Sequence, residues 1–177
     1  MARTPGNGGR CTACRRRGAL ADGGWCDRCW HRAVDGGWES RRIEAARRAD
    51  LPAWALDALA ADASALVRAE VAGRDDLPPQ IIAALADPVV EPDRTVLRQI
   101  ARHPRLATHA VELISTDDLH TLRRVAQNPT CPVEALTVLA RHPDPTLSRW
   151  ARARLVGARL DGQQRQQLPV GLRRLLS

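Results

Sequence analysis

The amino-acid sequence predicts an all-α fold, a solenoid of about four short two-helix repeats that follows a small four-cysteine module. The first supporting observation is composition: 44% of the 177 residues are apolar, yet only 3% are aromatic, with no Phe or Tyr. A core of Leu, Ala, Val and Ile favours packed helices over sheets, in which β-branched and aromatic residues dominate. The second observation is a repeated pattern of apolar residues. We expect the module to occupy residues 1–39 and the solenoid residues 40–177.

Four of the five cysteines form two C-x-x-C pairs separated by 11 residues. Each pair can turn tightly enough to offer two thiolates to one ion. In a reducing compartment, paired cysteines more often bind a metal than form disulfides. The spacing therefore predicts a closed, tetrahedral site formed by Cys11, Cys14, Cys26 and Cys29. His31 follows closely, but four cysteines already complete such a site, so we expect this histidine on the surface.

The residues around the cysteines predict a knuckle, a hairpin and a helix, as in a treble-clef or zinc-ribbon-like finger. The segment Arg15 to Trp25 contains Gly-rich turn signals and predicts the hairpin, the only strands expected in the chain. A helix is predicted after Cys29, with Gly36-Gly37 as its C-terminal cap. Its N-terminus would stabilise the second pair of thiolates. We expect the apolar filling of the module to be Trp25, Trp30 and Trp38.

Three sets of residues recur in one register through the rest of the chain. They are Leu51-Pro52, Leu77-Pro78, Leu106-Ala107 and Cys131-Pro132; then Leu59, Leu85, Ile114 and Leu139; then Val71-Ala72, Ile100-Ala101, Val125-Ala126 and Trp150-Ala151. Each unit is interpreted as two short helices, the first starting at the proline and the second running into the third set. Neighbouring units must stack to bury the apolar sides of both helices. This register places Cys131 in the core, as a small buried apolar residue without a metal role.

Three segments of this pattern are specific enough to resemble a known family. Leu85-Ala86-Asp87-Pro88, the stretch from Leu122 to Pro129, and the stretch from Cys131 to Leu136 resemble the leucine-rich repeat variant family, over about residues 40–156. The resemblance implies repeats that pair an α-helix with a short 3₁₀ helix in a right-handed, HEAT-like superhelix. Some members of this family hold a 4Fe–4S cluster in an N-terminal cysteine cluster. The separated C-x-x-C pairs favour Zn²⁺, and a 4Fe–4S cluster stays as the alternative.

The second repeat is four residues longer than the 25-residue repeats, near Asp87 to Thr95. Insertions in a solenoid project as loops from one face, often a binding face. A tolerated surface insertion is the simpler interpretation. The C-terminal stretch Leu168 to Leu176 is interpreted as an imperfect terminal repeat or cap.

Charge is segregated along the chain. Residues 1–50 contain 11 Arg against 6 acidic residues, residues 51–148 contain 9 against 13, and residues 149–177 contain 7 against 1. The candidate phosphate-binding side chains lie beside the cysteines: Arg15, Arg16, Arg17, Arg28 and Arg32. Because the acidic middle would repel nucleic acid, we expect any such contact to be local to the N-terminal module.

The sequence lacks the common catalytic motifs, including G-x-S-x-G, the P-loop, the dinucleotide fingerprint and H-E-x-x-H. Nucleic-acid enzymes with HEAT-like repeats exist, but the acid–base constellation they would need is not evident. The sequence therefore predicts a non-enzymatic binding or adaptor protein whose repeat surface binds another protein. The alternatives are nucleic-acid binding through the basic module and a 4Fe–4S redox or sensor role. Without a long apolar run or a signal-peptide core, we expect a cytoplasmic protein that does not contact membranes.

Overall fold

The computed structural model describes residues 10–16, 24–106 and 118–159. Within these ranges the regular structure is helical, apart from an isolated bridge residue at Arg10, so the all-α prediction is confirmed there. No strand occurs in these ranges, and the predicted hairpin falls mainly on residues 17–23, outside them. The chain divides into two compact units, Met1–Val71 and Ala72–Ser177. None of the described helices combines the length and apolar character needed to cross a membrane.

The first unit contains short helices that pack around alanines. They are α1 (Asp27–Val34), α2 (Glu39–Ala46), α3 (Ala53–Ala60) and α4 (Ala65–Ala72), the last of which ends at the unit boundary. Helix α1 packs against α2 and α3, and α2 also packs against α3. Ala33, Ala45 and Ala55 are almost completely buried, and such small side chains allow close approach of the helices. The N-terminal module therefore shares its core with the helices that follow it. The predicted boundary between residues 39 and 40 stays a prediction.

The described residues of the second unit form helices at positions that the sequence predicts for first and second helices. Its helices are α5 (Pro79–Ala86), α6 (Arg94–Ile100), α7 (Leu119–Gln127), α8 (Val133–Leu139) and α9 (Pro145–Arg159). Helix α5 packs on α6 and α8 on α9, and the second helices α6, α7 and α9 also pack on one another in sequence. The first helix predicted for the third repeat falls on residues 107–117, and the predicted C-terminal cap on residues 160–177. Both lie outside the described residues.

The predicted core register is confirmed at most of its positions. Buried members include Leu59, Val71, Leu77, Leu85, Ile100, Leu106, Val125, Cys131 and Leu139. Leu51 and Trp150 are only half-buried, which corrects the placement of Trp150 in the core. The indole of Trp150 is larger than the Val or Ile of the other repeats, and it lines a pocket between α7 and α9. Ile114 lies outside the described residues.

The prolines start the first helices, as predicted. Pro52, Pro78 and Pro132 are the N-cap residues of α3, α5 and α8, and all three have extended backbones. A proline fits there because its missing N–H would have no partner within the helix. In the repeats whose two helices are both described, both helices are α-helices. The prediction of a short 3₁₀ helix, which the resemblance implies, is therefore wrong at these positions.

Ion pairs link α2, α6 and α7 each to a residue at or just before the start of a later helix in the same unit. The pairs are Arg42–Asp62, Arg98–Asp118 and Arg123–Asp144, with N–O distances of 2.6, 2.8 and 3.5 Å. Asp118 is the N-cap of α7 and also accepts hydrogen bonds from the backbone N–H and hydroxyl of Thr121. Asp118 and Asp144 thus lie at helix starts, where a negative charge is favourable, and Asp62 lies just before α4.

Polar side chains of the second unit also reach back to helix ends. Asn128 Nδ2 donates to the carbonyl oxygens of Ala101 and His103, each at 3.0 Å. One repeat later, Arg154 Nη1 donates to the carbonyl oxygens of Ala126 and Asn128 at 3.0 and 3.1 Å. These carbonyls follow α6 or end α7, where the helix supplies no further N–H partners. The bonds therefore connect the end of α7 to the end of α6, and α9 to the end of α7.

Candidate metal centre

The four paired cysteines come together in the first unit. Their sulfur atoms all lie within 4.8 Å of one another. The Sγ atoms of Cys11 and Cys29 are 3.7 Å apart, and those of Cys14 and Cys26 are 3.6 Å apart. Each short distance thus joins one pair to the other. Among the described residues, this is the one cluster of potential ligands that could hold a metal ion.

The first pair lies on a tight backbone knuckle. The backbone N–H of Arg15 donates to the carbonyl of Cys11 at 2.7 Å, and the N–H of Cys11 donates to the carbonyl of Arg16 at 2.9 Å. Arg15 adopts a left-handed conformation with a φ of 60°, which closes the turn. The N–H of Thr12 donates to the carbonyl of Gly24 at 3.2 Å. This bond brings the chain back to the first pair just before the second begins.

The second pair lies at the N-terminus of α1, as predicted. Cys26 is the N-cap, and its carbonyl accepts the N–H groups of Cys29 and Trp30 at 2.8 and 3.1 Å. The N–H of Cys26 points to the Sγ of Cys11 at 3.3 Å. Free N–H groups at a helix start stabilise thiolates nearby. Helix α1 therefore positions two ligands and contributes a favourable electric field.

The thiols differ in their readiness to ionise. Burial raises the pKa of Cys11, but hydrogen bonds from the backbone N–H groups of Cys26, Cys14 and Ala13 outweigh it and lower this pKa to about 6. Burial and the neighbouring sulfurs raise the pKa of Cys29 to about 12. Four negative charges this close together repel strongly, and a cation at the centre of the sulfurs offsets that repulsion.

An arginine after α2 contacts the two buried tryptophans of the module. The guanidinium of Arg48 lies 4.9 Å from the ring centroid of Trp25 and 5.8 Å from that of Trp30. It also donates two hydrogen bonds to Asp50, at 2.8 and 3.0 Å. Burial raises the pKa of Asp50, but Arg48 outweighs this effect and lowers it. Sequence analysis missed this contact, because nothing local to Arg48 indicates which tryptophans it faces.

Two of the three tryptophans fill the module as predicted. Trp25 and Trp30 are buried, with ring centroids 4.8 Å apart. The prediction for Trp38 is wrong, because its side chain is 87% exposed. Trp38 is the N-cap of α2 and has an extended backbone, and its carbonyl accepts the N–H groups of Arg41 and Arg42. The role of this residue in the fold is thus carried by its backbone.

The two remaining metal-binding candidates lie where the sequence predicts. His31 is on the surface of α1, with its ring stacked on Trp54 at 4.2 Å and its Nδ1 3.1 Å from Asp35. Cys131 is buried in the second unit, and burial raises its pKa to about 11. Neither residue belongs to the four-sulfur cluster.

The described candidate phosphate-binding arginines are exposed and lie close to the cysteines in the chain. The side chains of Arg15 and Arg16 are exposed after the first pair, and those of Arg28 and Arg32 are exposed on α1. Arg17 lies outside the described residues. These positions give the module a basic surface.

No protein-family model, curated protein or solved structure matches this chain. The resemblance to leucine-rich repeat variants thus has no support from these comparisons, and function must be argued from the geometry.

Proposed function

We propose that this is a non-enzymatic binding protein in which one Zn²⁺, held by the four clustered cysteines, secures the start of a right-handed helical solenoid. The observation that carries the zinc assignment is the spacing of the sulfurs. Four ligands at the Zn–S distance of about 2.3 Å lie about 3.8 Å apart in a tetrahedron. Two of the six sulfur separations, 3.6 and 3.7 Å, are close to this edge, and all six lie within 4.8 Å. A 4Fe–4S cluster favours a wider spacing, because each thiolate binds a different iron.

A structural role for the ion follows from its ligands. Four thiolates complete a tetrahedral shell and leave no open position for a substrate. The module is too small for a large core of its own, so metal binding would supply much of its folding free energy.

Elemental analysis and absorbance of freshly purified protein test this assignment. We expect about one zinc per chain, as a closed four-cysteine site requires. Cys14→Ser should lose most of the metal, whereas the matched variant Cys131→Ser should keep it. Stoichiometric iron with broad visible absorbance would replace zinc by an iron–sulfur cluster, and a metal-free protein would exclude both.

The solenoid is supported by the way the second helices of the second unit follow one another. Helices α6, α7 and α9 pack directly in sequence. The ion pairs at helix starts and the side-chain bonds to helix ends both recur from one repeat to the next. Contacts between each repeat and its neighbours are what hold solenoids together.

We propose that the repeats bind another protein through the loop between α5 and α6, where the second repeat is longer. Val89 is 90% exposed there, and Val90 is 65% exposed. The loop is nevertheless ordered by hydrogen bonds, since the Asp87 carbonyl accepts the N–H groups of Val90 and Glu91. Exposed apolar side chains on a preorganised loop are typical of protein interaction sites.

A charged substitution at the loop tip tests this surface. Val89→Asp combined with Val90→Asp should abolish capture of a partner that the unchanged protein retains. Val133→Asp is the matched control, because Val133 is half exposed on α8, away from the loop. Equal loss of the partner in the control would reject the loop as the binding site.

The exposed arginines favour nucleic-acid binding by the module as a second candidate. Changing Arg28 and Arg32 together to Gln should weaken binding of a labelled oligonucleotide and make its salt dependence shallower. Unchanged affinity and salt dependence would remove this candidate.

A further inference from the structure

Trp38 is the most exposed of the described tryptophans, yet its backbone is held in place. Its carbonyl accepts two N–H groups at the start of α2, and the carbonyl of the preceding Gly37 accepts a hydrogen bond of 2.6 Å from Arg42. Arg42 is in turn paired with Asp62. A large apolar side chain on an ordered backbone loses little freedom on binding, and tryptophan is enriched at the centres of interfaces. The fold therefore presents the indole of Trp38 ready for a partner.

A pocket in the second unit has the size of one aromatic side chain. It lies between α7 and α9, and its volume is about 230 Å³. Pockets for whole drug-sized ligands span about 300–1,000 Å³, so this one accommodates a single ring system. Its surface is mostly apolar, and the indole of Trp150 offers an aromatic surface for another ring. The lining residues are Arg123, Ala126, Gln127, Thr146, Leu147 and Trp150.

Polar groups beside the indole and beside the pocket complement each other. Arg123 lines the pocket, its Nε has no hydrogen-bond partner, and its Nη2 makes only a long contact of 3.5 Å with Asp144. The Arg123 side chain is half-exposed, so it can turn towards an acceptor at the edge of the pocket. Glu39 directly follows Trp38 and is exposed. Its carboxylate can accept more hydrogen bonds than the one of 2.6 Å that it receives from the Ser64 hydroxyl.

We propose that this protein associates with a second copy of itself, with Trp38 of one copy inserted in the α7–α9 pocket of the other. The contact is heterologous, because the indole belongs to the first unit and the pocket to the second. Each pair of copies therefore leaves one free indole and one free pocket, and association continues into longer assemblies or closes into a ring. The inference goes beyond the proposed function, since neither the four clustered cysteines nor the α5–α6 loop takes part.

The expected association is weak, because one side chain makes most of the contact. Stable complexes bury about 1,200–2,000 Å², whereas an inserted tryptophan buries about 150–250 Å² of its own surface. We therefore expect a dissociation constant on the order of 0.1 mM, as for a transient contact. The unchanged protein should be monomeric when dilute and should form dimers and larger species as its concentration passes this value.

Sedimentation velocity of the full chain, at concentrations on either side of that constant, tests the proposal. Trp38→Ala and Trp150→Ala should each stay monomeric where the unchanged protein associates. Their equimolar mixture should form dimers, because the Trp38→Ala chain retains its pocket and the Trp150→Ala chain retains its indole. The mixture should stop at the dimer, since neither free end can bind again. Circular dichroism and the metal content of each variant check that it is folded.

A second pocket variant covers the case in which loss of Trp150 disturbs α9. Gln127 is exposed and lines the pocket, so Gln127→Trp should fill it from within the same chain, prevent self-association and still form dimers with Trp38→Ala. Leu66→Ala is the matched control, because it removes another exposed apolar side chain from the first unit and should leave association unchanged.

Three results would overturn the proposal. They are an unchanged protein that stays monomeric at every concentration, a Trp38→Ala variant that associates like the unchanged protein, and folded variants that do not form dimers when mixed. Equal loss of association in Leu66→Ala would also reject the pocket, because it would show a general apolar attraction instead.

Discussion

At the residue scale, Gly37 shows how closely the chain packs after α1. A Cβ atom on Gly37 would lie 2.3 Å from the carbonyl oxygen of Ala33, whereas a Cβ on Gly36 would meet nothing within 4 Å. The Gly37 carbonyl also accepts a hydrogen bond of 2.6 Å from Arg42. The two adjacent glycines therefore differ in how closely they are packed. Neither has the left-handed φ of the glycine cap that the sequence predicts, and the C-cap of α1 is Asp35.

We predict that Gly37→Ala destabilises the protein by about 1–3 kcal/mol, as overpacking does, because the backbone must shift to relieve the clash. The adjacent Gly36→Ala should change the free energy of unfolding by less than about 0.5 kcal/mol, as surface changes usually do. Chemical denaturation of both variants makes the comparison. Equal losses of stability would contradict the close contact at Gly37.

His103 and Asn128 occupy corresponding positions after successive second helices. Asn128 uses both ends of its amide, since Nδ2 donates to two carbonyls and Oδ1 accepts from the N–H and hydroxyl of Thr130. The side chain of His103 is buried, with only 3% of its surface exposed. Its Nδ1 accepts the N–H of Arg105 at 3.0 Å.

This environment predicts that acid destabilises the protein through His103. Burial lowers the pKa of His103, aided by Arg105 and opposed by the Arg74 backbone, Asp75 and Asp76. The unfolded chain, with a histidine pKa of about 6.5, then binds a proton more readily than the folded chain. The stability that comes from the buried, neutral His103 is present above the pKa of the unfolded chain and is lost as the pH falls below it.

His103→Asn should reduce the loss of stability between about pH 7.5 and pH 5.5, because Asn does not titrate in this range and already serves at position 128. Denaturation curves at both pH values give the change in the free energy of unfolding with pH for each protein. The result is the difference between the change for the variant and the change for the unchanged protein. That difference cancels the protonation of the cysteines and of the other histidines. Parallel pH dependence in the two proteins would reject the assignment to His103.

At the element scale, the start of α7 combines two stabilising roles in one carboxylate. Asp118 caps the helix through the N–H of Thr121 and pairs with Arg98. Hydrogen bonds from Arg98 hold the pKa of Asp118 well below its usual range, despite partial burial. The start of α6 has a simpler cap, in which Asp93 accepts the N–H of Thr95 at 2.8 Å.

We predict that Asp118→Ala costs about 2 kcal/mol, because it removes a cap and leaves Arg98 without its carboxylate. Asp93→Ala should cost about 1 kcal/mol, as loss of a cap alone does. Asp118→Asn keeps a good N-cap residue, so it isolates the ion pair. The pKa of Asp118 is depressed in the folded chain. The unchanged protein should therefore be more stable than Asp118→Asn above about pH 4, and this difference in the free energy of unfolding should disappear as the pH falls through the folded pKa. An advantage that persists at lower pH would contradict the ion pair.

At the scale of the whole molecule, the two compact units differ in what stabilises them. In the first unit, α1 begins at one candidate ligand and contains another, so the proposed metal would hold its start in place. The second unit has its own buried leucines and valines, including Leu122, Val125 and Leu139.

Removal of the metal by a chelator should therefore unfold the N-terminal module and leave the second unit folded. Hydrogen exchange should show reduced protection of the amides in α1 and unchanged protection in α7 and α8. Cys131→Ala is the companion control, since it should cost about 1–2 kcal/mol in the second unit without changing metal content. Uniform loss of protection throughout the chain after chelation would contradict separate stabilisation of the units.

The sequence by itself determined the helical class, the four clustered cysteines and most of the buried register. These features are local or periodic: two C-x-x-C pairs limit where their sulfurs can lie, and an apolar period marks the side of a helix that must leave water. Cys131 illustrates this, because its place in the period was enough to predict its burial.

Only the tertiary structure decided which polar and aromatic side chains meet. The exposed indole of Trp38, the contact of Arg48 with Trp25, and the ion pair of Arg98 with Asp118 all depend on how different helices face one another. Segment charge could not reveal that ion pair, because a net charge counts carboxylates equally whether they cap helices, pair with arginines or face the solvent. Electrostatic interactions depend on distance in space, and that distance is fixed only when the helices pack.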